Sequence, residues 1–107
     1  MPTSTHEELI NSYLDHLSVE IEIDKVILYG SCARESQKTW SDIDLLIISS
    51  DFNGLTIKEI KSIIYKPIIE YIIPKISPIG LSLNKWESNK HSDFIEIVIK
   101  TGKIINR

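Results

Sequence analysis

Two aspartates one residue apart, Asp42 and Asp44, open the apolar run Asp42-Ile43-Asp44-Leu45-Leu46-Ile47-Ile48. In a strand, residues i and i+2 project from one face, with about 6–7 Å between their backbones. Carboxylates so placed can share a hard cation. Mg²⁺ accepts one or two of them while keeping waters and substrate phosphates as its other ligands. Ile43, between them, is expected to point into the core and hold the strand down. Upstream, Gly30-Ser31 closes a second apolar run, Val26-Ile27-Leu28-Tyr29. A glycine at a strand end permits close backbone approach, and the amides that follow open a helix whose dipole favours anions. The Ser31 hydroxyl adds a donor. Arg34, one turn further on, is one of two arginines in the chain, the other being Arg107. A lone guanidinium beside an anion site suits phosphate. The set reads as a triphosphate cradle facing a carboxylate pair.

Other residue types carry less. Cys32 sits near a helix N-terminus, which favours thiolate, but no histidine neighbours it in sequence, and an inert thiol is the simpler expectation. His6, His16 and His91 lack ligand spacing and read as surface or core-edge groups. Trp40 fits two roles equally, stacking on a nucleobase or capping its loop. Tyr29 and Tyr65 are expected in the core, and the lysines from Lys58 to Lys66 on the solvated face of a helix.

These residues must be positioned by secondary structure. Thr5 to about Ser18 predicts an amphipathic helix, with Ser4 and Thr5 each three residues before a glutamate (Glu7, Glu8) in capping-box spacing. Val19 to Asp24 alternates apolar and acidic residues and fits either a strand or a loop. Lys25 to Tyr29 predicts a first strand, residues 31–36 a short helix, and Asp42 to Ile48 a second strand buried on both faces at its far end. Ser49 to Gly54 is turn-prone. Thr56 to about Tyr65 predicts a helix that Pro67 kinks or ends, with residues 68–73 open to resuming it. Lys75 to Leu81 predicts a third strand with Pro78 at an edge or bulge. Asn84 to Thr101 predicts a closing helix with Trp86, Phe94, Ile97 and Val98 inward, ended by Gly102, and Lys103 to Ile105 a last strand. The order implies an α+β (α/β) fold: a small mixed β-sheet packed with helices.

Composition narrows the function classes. The 107 residues suit a single domain spanning 1–107. A net charge of −3 and a pI near 5.6 argue against general nucleic-acid binding, which needs a basic face. One cysteine excludes an internal disulfide framework and a cysteine zinc site within the chain. No apolar run approaches the roughly 18 residues of a membrane span, and the first residues show no signal-peptide pattern. A cytoplasmic protein without membrane attachment is the expectation.

Gly30-Ser31, ten residues, then Asp42-x-Asp44 resembles the signature of the DNA polymerase β-like nucleotidyltransferase superfamily, and specifically its minimal nucleotidyltransferases. These carry a G-S-x-A-R-G stretch followed by S-D-I-D-L. Gly30, Ser31, Ala33, Arg34, Ser41, Asp42, Ile43, Asp44 and Leu45 match it. Ile76-Ser77-Pro78-Ile79 and the closing helix, Gly102 and strand extend the likeness over nearly the whole chain. The resemblance implies the polymerase β-like fold and a Mg²⁺-dependent transfer of a nucleoside monophosphate from a triphosphate, ATP above all, to a hydroxyl. Asp42 and Asp44 would be the catalytic and metal residues, and Gly30, Ser31 and Arg34 the nucleotide-binding ones. It further implies an antitoxin paired with a HEPN-type toxin, since a chain this size is expected to rely on an acceptor that brings its own recognition surface. A homo-oligomer completing an acceptor pocket is a further option.

The chain departs from the pattern twice. Glu35 replaces the glycine after the arginine. The strand register read from Ile76-Ser77-Pro78-Ile79 puts Lys75 where active members carry a third carboxylate, with Glu70 as the substitute should the register differ. A lysine there implies an incomplete two-ion site, and so a second reading: a catalytically impaired, nucleotide-binding or protein-binding module that neutralises its partner by contact.

Overall fold

The computed structural model describes residues 6–30, 42–88 and 91–105. In chain order they form helix α1 (His6–Glu20), strands β1 (Lys25–Tyr29) and β2 (Ile43–Ser49), a 3₁₀ turn (Ser50–Phe52), α2 (Ile57–Tyr71), β3 (Ile76–Ser82), α3 (Leu83–Glu87), α4 (Asp93–Thr101) and β4 (Lys103–Ile104). The sheet order is β3-β2-β1-β4. β1 runs antiparallel to β2 and β4, while β3 runs parallel to β2. The sheet is therefore mixed, as expected from the sequence.

β2 is the centre of the molecule. Leu45, Leu46, Ile47 and Ile48 are all fully buried, because helices cover both faces of the sheet. Ile43, Leu45 and Ile47 face a core built with Tyr13, Leu14 and Leu17 of α1 and Ile60 and Ile64 of α2. Leu46 and Ile48 face a smaller core with Ile27, Ile95 and Val98. By strand alternation Asp44 belongs to this second face. β3 lies at the sheet edge, which is why it tolerates Pro78 without a lost ladder bond.

Three local expectations are resolved or corrected. The stretch 19–24, open between strand and loop, continues α1 to Glu20 and then becomes a loop. That loop is tied down by Asp24 N–H donating to the Ile48 carbonyl (2.8 Å) and Ser49 Oγ donating to the Glu22 carbonyl (2.6 Å). Pro67 does not end α2, which continues past it as the alternative allowed and runs from a Thr56–Glu59 capping box to a left-handed cap at Ile72. Ile60, Ile64 and Pro67 form its buried stripe. The single closing helix is two helices, because Ser82 and Ser92 each accept an amide bond and start one of their own. The new phase turns Ile95 and Val98 inward and leaves Phe94 41% and Ile97 60% exposed. Trp86 is half-buried against the smaller core. The proposed helix at 31–36 and the Ser4/Thr5 caps lie outside the described residues.

Candidate functional site

Asp42 stands just ahead of β2 and is exposed; Asp44 is the second residue of the strand and is half-buried. Ile43 between them is fully buried, so the strand is pinned at the point where the two carboxylates flank it. The pin has a hydrogen-bonded side too. Ile43 N–H donates to the Lys75 carbonyl at 2.6 Å, where the corner after α2 meets β2.

The neighbouring strands fix what surrounds Asp44. On one side its partner is Tyr29 of β1; on the other it is Ser77 of β3. Gly30 follows Tyr29 with φ +77°, and a Cβ there would lie 2.5 Å from Asp44 Oδ2. Any other residue would displace the carboxylate, so the close approach expected of this glycine is made to Asp44 itself. The Tyr29 ring is held edge-on by Phe94 of α4, centroids 5.4 Å apart at 83°, a favourable aromatic geometry.

The electrostatics follow from this crowding. Burial first, and then the negative charge of Asp42, raises the Asp44 pKa above the ordinary carboxylate value. Burial, with Asp44 and Tyr65 adding to it, pushes the Tyr29 hydroxyl up to about 12. Two mutually repelling hard oxygen donors are what a divalent cation relieves. By donor chemistry the pair is compatible with one such ion, which Asp42 and Asp44 would hold. Among the described residues no group of three or more His, Cys, Asp or Glu could hold a metal.

The register fixes where Lys75 lies relative to the pair. The β3 residue level with Asp44 is Ser77, while Lys75 precedes the strand, one step before the Ile43–Ile76 pair and so beside Asp42. Glu70 does not stand in. It is exposed on α2, beside a small cleft with His16, Glu20, Lys66 and Tyr71, and Asp42 is the only described carboxylate that shifts Asp44. Of the other sequence-derived site residues, Gly30 joins the pair, whereas Ser31 and Arg34 lie outside the described residues, as do Cys32 and Trp40.

The described histidines are engaged elsewhere. His16 bonds through Nδ1 to the Ser12 carbonyl (2.8 Å) and stacks on Tyr71. His91 bonds through Nε2 to the Trp86 carbonyl (2.7 Å), with Nδ1 3.7 Å from Glu96. A cleft of about 490 Å³ opens among Leu14, Ile21, Asp24, Val26 and Ile105, by the opposite end of β1, and shares no residue with the carboxylate pair. Sequence reasoning placed Tyr29 in the core and gave Ser77 no role. Both gain their places from strand register, which no local pattern encodes.

Comparison with known proteins bears on the family and the fold. A family model described as polymerase beta, nucleotidyltransferase matches residues 8–107. No curated protein matches the chain in sequence. Among solved structures, an assigned nucleotidyltransferase of Sulfolobus solfataricus superposes with a TM-score of 0.67 at 15% identity, covering 91% of this chain and 76% of that one. A toxin–antitoxin structure with AMP-PNP gives 0.54 at 16% identity, covering 86% and 68%. BolA1 from Arabidopsis thaliana gives 0.54 at 14% identity, covering 75% and 95%. At such identities these likenesses are of fold.

Proposed function

Because the chain belongs to the polymerase beta nucleotidyltransferase family, we propose that it transfers AMP from ATP to a hydroxyl of a protein acceptor, with Mg²⁺ as cofactor. The observation that carries this reading is the packing of Gly30 against Asp44, next to Asp42 on the pinned start of β2. It is a carboxylate pair with backbone, not side chain, as its wall.

Asp42 and Asp44 hold the cation, which when bound neutralises phosphate charge and favours in-line attack. Gly30, which packs without a side chain against Asp44, and Ser31 and Arg34, which follow it in sequence, bind the triphosphate. The acceptor oxygen bonds to the α-phosphorus, the bond to the β-phosphate breaks, pyrophosphate leaves and the hydroxyl proton passes to solvent. The work of the chain is positioning and charge compensation, as in phosphoryl transfer generally. The toxin–antitoxin neighbour with its nucleotide analogue supports a protein acceptor, and the proposed setting is a cytoplasmic antitoxin acting on a HEPN-type toxin. No described helix is long and apolar enough to cross a membrane.

A second reading is favoured by the register of β3: the residue level with Asp44 is Ser77, a hydroxyl and not a carboxylate, and the residue ahead of the strand is Lys75, whose carbonyl accepts from Ile43 N–H. On that reading the protein binds nucleotide and neutralises its partner by contact. One experiment separates the two. Protein, Mg²⁺ and α-labelled ATP are incubated with and without the HEPN-type toxin partner. Label on the toxin that vanishes in Asp42→Ala/Asp44→Ala supports transfer. Neutralisation that survives those substitutions, with no label moved, supports the binding module.

A further inference from the structure

Lys75 occupies a backbone conformation that suits a different residue. Its φ is +70°, a region where a lysine side chain is strained and glycine is not. Such a strained non-glycine residue, kept at a site, points from geometry to function. Its location sharpens the point. The Lys75 carbonyl receives the Ile43 N–H at 2.6 Å, so the Lys75 backbone abuts β2 between the two aspartates' positions. Its four-carbon stem outreaches the roughly 4.8 Å between neighbouring strands. The side chain is exposed and forms no ion pair among the described residues.

Charge then decides what an ammonium there can serve. Asp42 and Asp44 with one divalent ion sum to zero, so that assembly offers a polyphosphate no net positive charge. Lys75 supplies one beyond that of Arg34. We propose that Lys75 is a substrate-binding residue of this site, a fixed cation that pairs with the non-transferred phosphates of a nucleoside triphosphate. Lysine is well suited to that, being a compact point charge on a flexible stem. The inference rests on the nucleotide site proposed above, but not on turnover.

The test uses equilibrium binding to the full-length protein with Mg²⁺ present, with ATP, AMP and inorganic tripolyphosphate as probes. Lys75→Ala is expected to weaken ATP and tripolyphosphate by about tenfold, the loss of one charge-assisted contact, and AMP hardly at all. Lys75→Arg keeps the charge and is expected to restore ATP binding. Lys75→Gly relieves the backbone, so it should melt at or above the wild-type temperature while losing ATP affinity as the alanine variant does, a split that a merely structural lysine would not produce. Unchanged ATP binding in Lys75→Ala, or an equal loss for ATP and AMP, overturns the assignment. A wild type that binds no ATP at all overturns both this inference and the proposed function. ATP binding that depends on Lys75 without any label transfer upholds the inference and removes only the transfer reaction.

Discussion

Gly30 and Asp44 touch across the β1–β2 pair so closely that a single added carbon on Gly30 would sit 2.5 Å from Asp44 Oδ2. The positive φ of Gly30 makes the position doubly restrictive. Gly30→Ala therefore meets two costs, backbone strain and a displaced carboxylate, and is expected to destabilise the fold by about 1–3 kcal/mol. Urea unfolding measures the stability part. The functional part shows as a loss of Mn²⁺ binding larger than the stability change explains. Mn²⁺ affinity unchanged in a folded Gly30→Ala protein would mean the close approach has no bearing on the site.

Asp44 is held half-buried beside a second negative charge, an arrangement unfavourable to the fold without a cation. Asp44→Asn removes that charge at nearly constant shape. Without divalent ions the variant is expected to melt above the wild type, and label transfer is expected to fall by about a hundredfold or more. Added Mg²⁺ should raise the wild-type melting temperature through preferential binding to the native state and leave the Asp44→Asn variant unmoved. Chelation with EDTA returns the wild type to its metal-free value. A wild type that Mg²⁺ does not stabilise would argue against the pair as a cation site.

The carboxylate pair was legible because its geometry is local. The Asp-Ile-Asp spacing at the head of an apolar run is readable whatever lies beside it, although β2 begins at Ile43, one residue after Asp42, and Pro78 marked an edge strand for an equally local reason. What lies beside the pair was not legible. Parallel pairing sets β3 against β2 across the whole of α2, and a shift of two residues decides whether Lys75 or Ser77 stands level with Asp44. The closing helix failed for a related reason. Periodicity across 84–101 cannot register that Ser92 starts a new helix and so resets the phase of Phe94, Ile95 and Val98.

Pro67 is a case in which the helix as a whole tolerates a strong local breaking signal. It sits inside α2, buried, seven residues after Ile60. An internal proline costs a helix about 3 kcal/mol through its missing N–H and its clash, whereas trimming the buried ring to a methyl forfeits about 1 kcal/mol of apolar burial. Pro67→Ala is thus expected to stabilise the protein by about 1–2 kcal/mol, read as a higher urea midpoint at unchanged slope. A lower midpoint would show that the ring's fit against its neighbours outweighs the restored hydrogen bond.

Tyr13 predicts how the fold fails in alkali. It is fully buried in the α1–α2 core, and its hydroxyl donates to the Ile64 carbonyl at 2.8 Å. Burial, with Tyr65 adding to it, raises its pKa far above the ordinary value of 10. The raised folded value fixes the sign. Below pH 10 folded and unfolded chains both keep the proton, and the full stability is present. Above pH 10 the unfolded chain releases it while the native one holds it, so stability falls by up to about 1.4 kcal/mol per pH unit for this group. Tyr29, pushed up to about 12, adds a smaller loss over the same range. Tyr13→Phe gives up a buried hydrogen bond and is expected to lose about 1 kcal/mol at neutral pH. Its stability should then decline less steeply than the wild type's between pH 10 and 12, with the remaining slope due to Tyr29. Parallel alkaline slopes in the two proteins would place the sensitivity elsewhere than in this core hydroxyl.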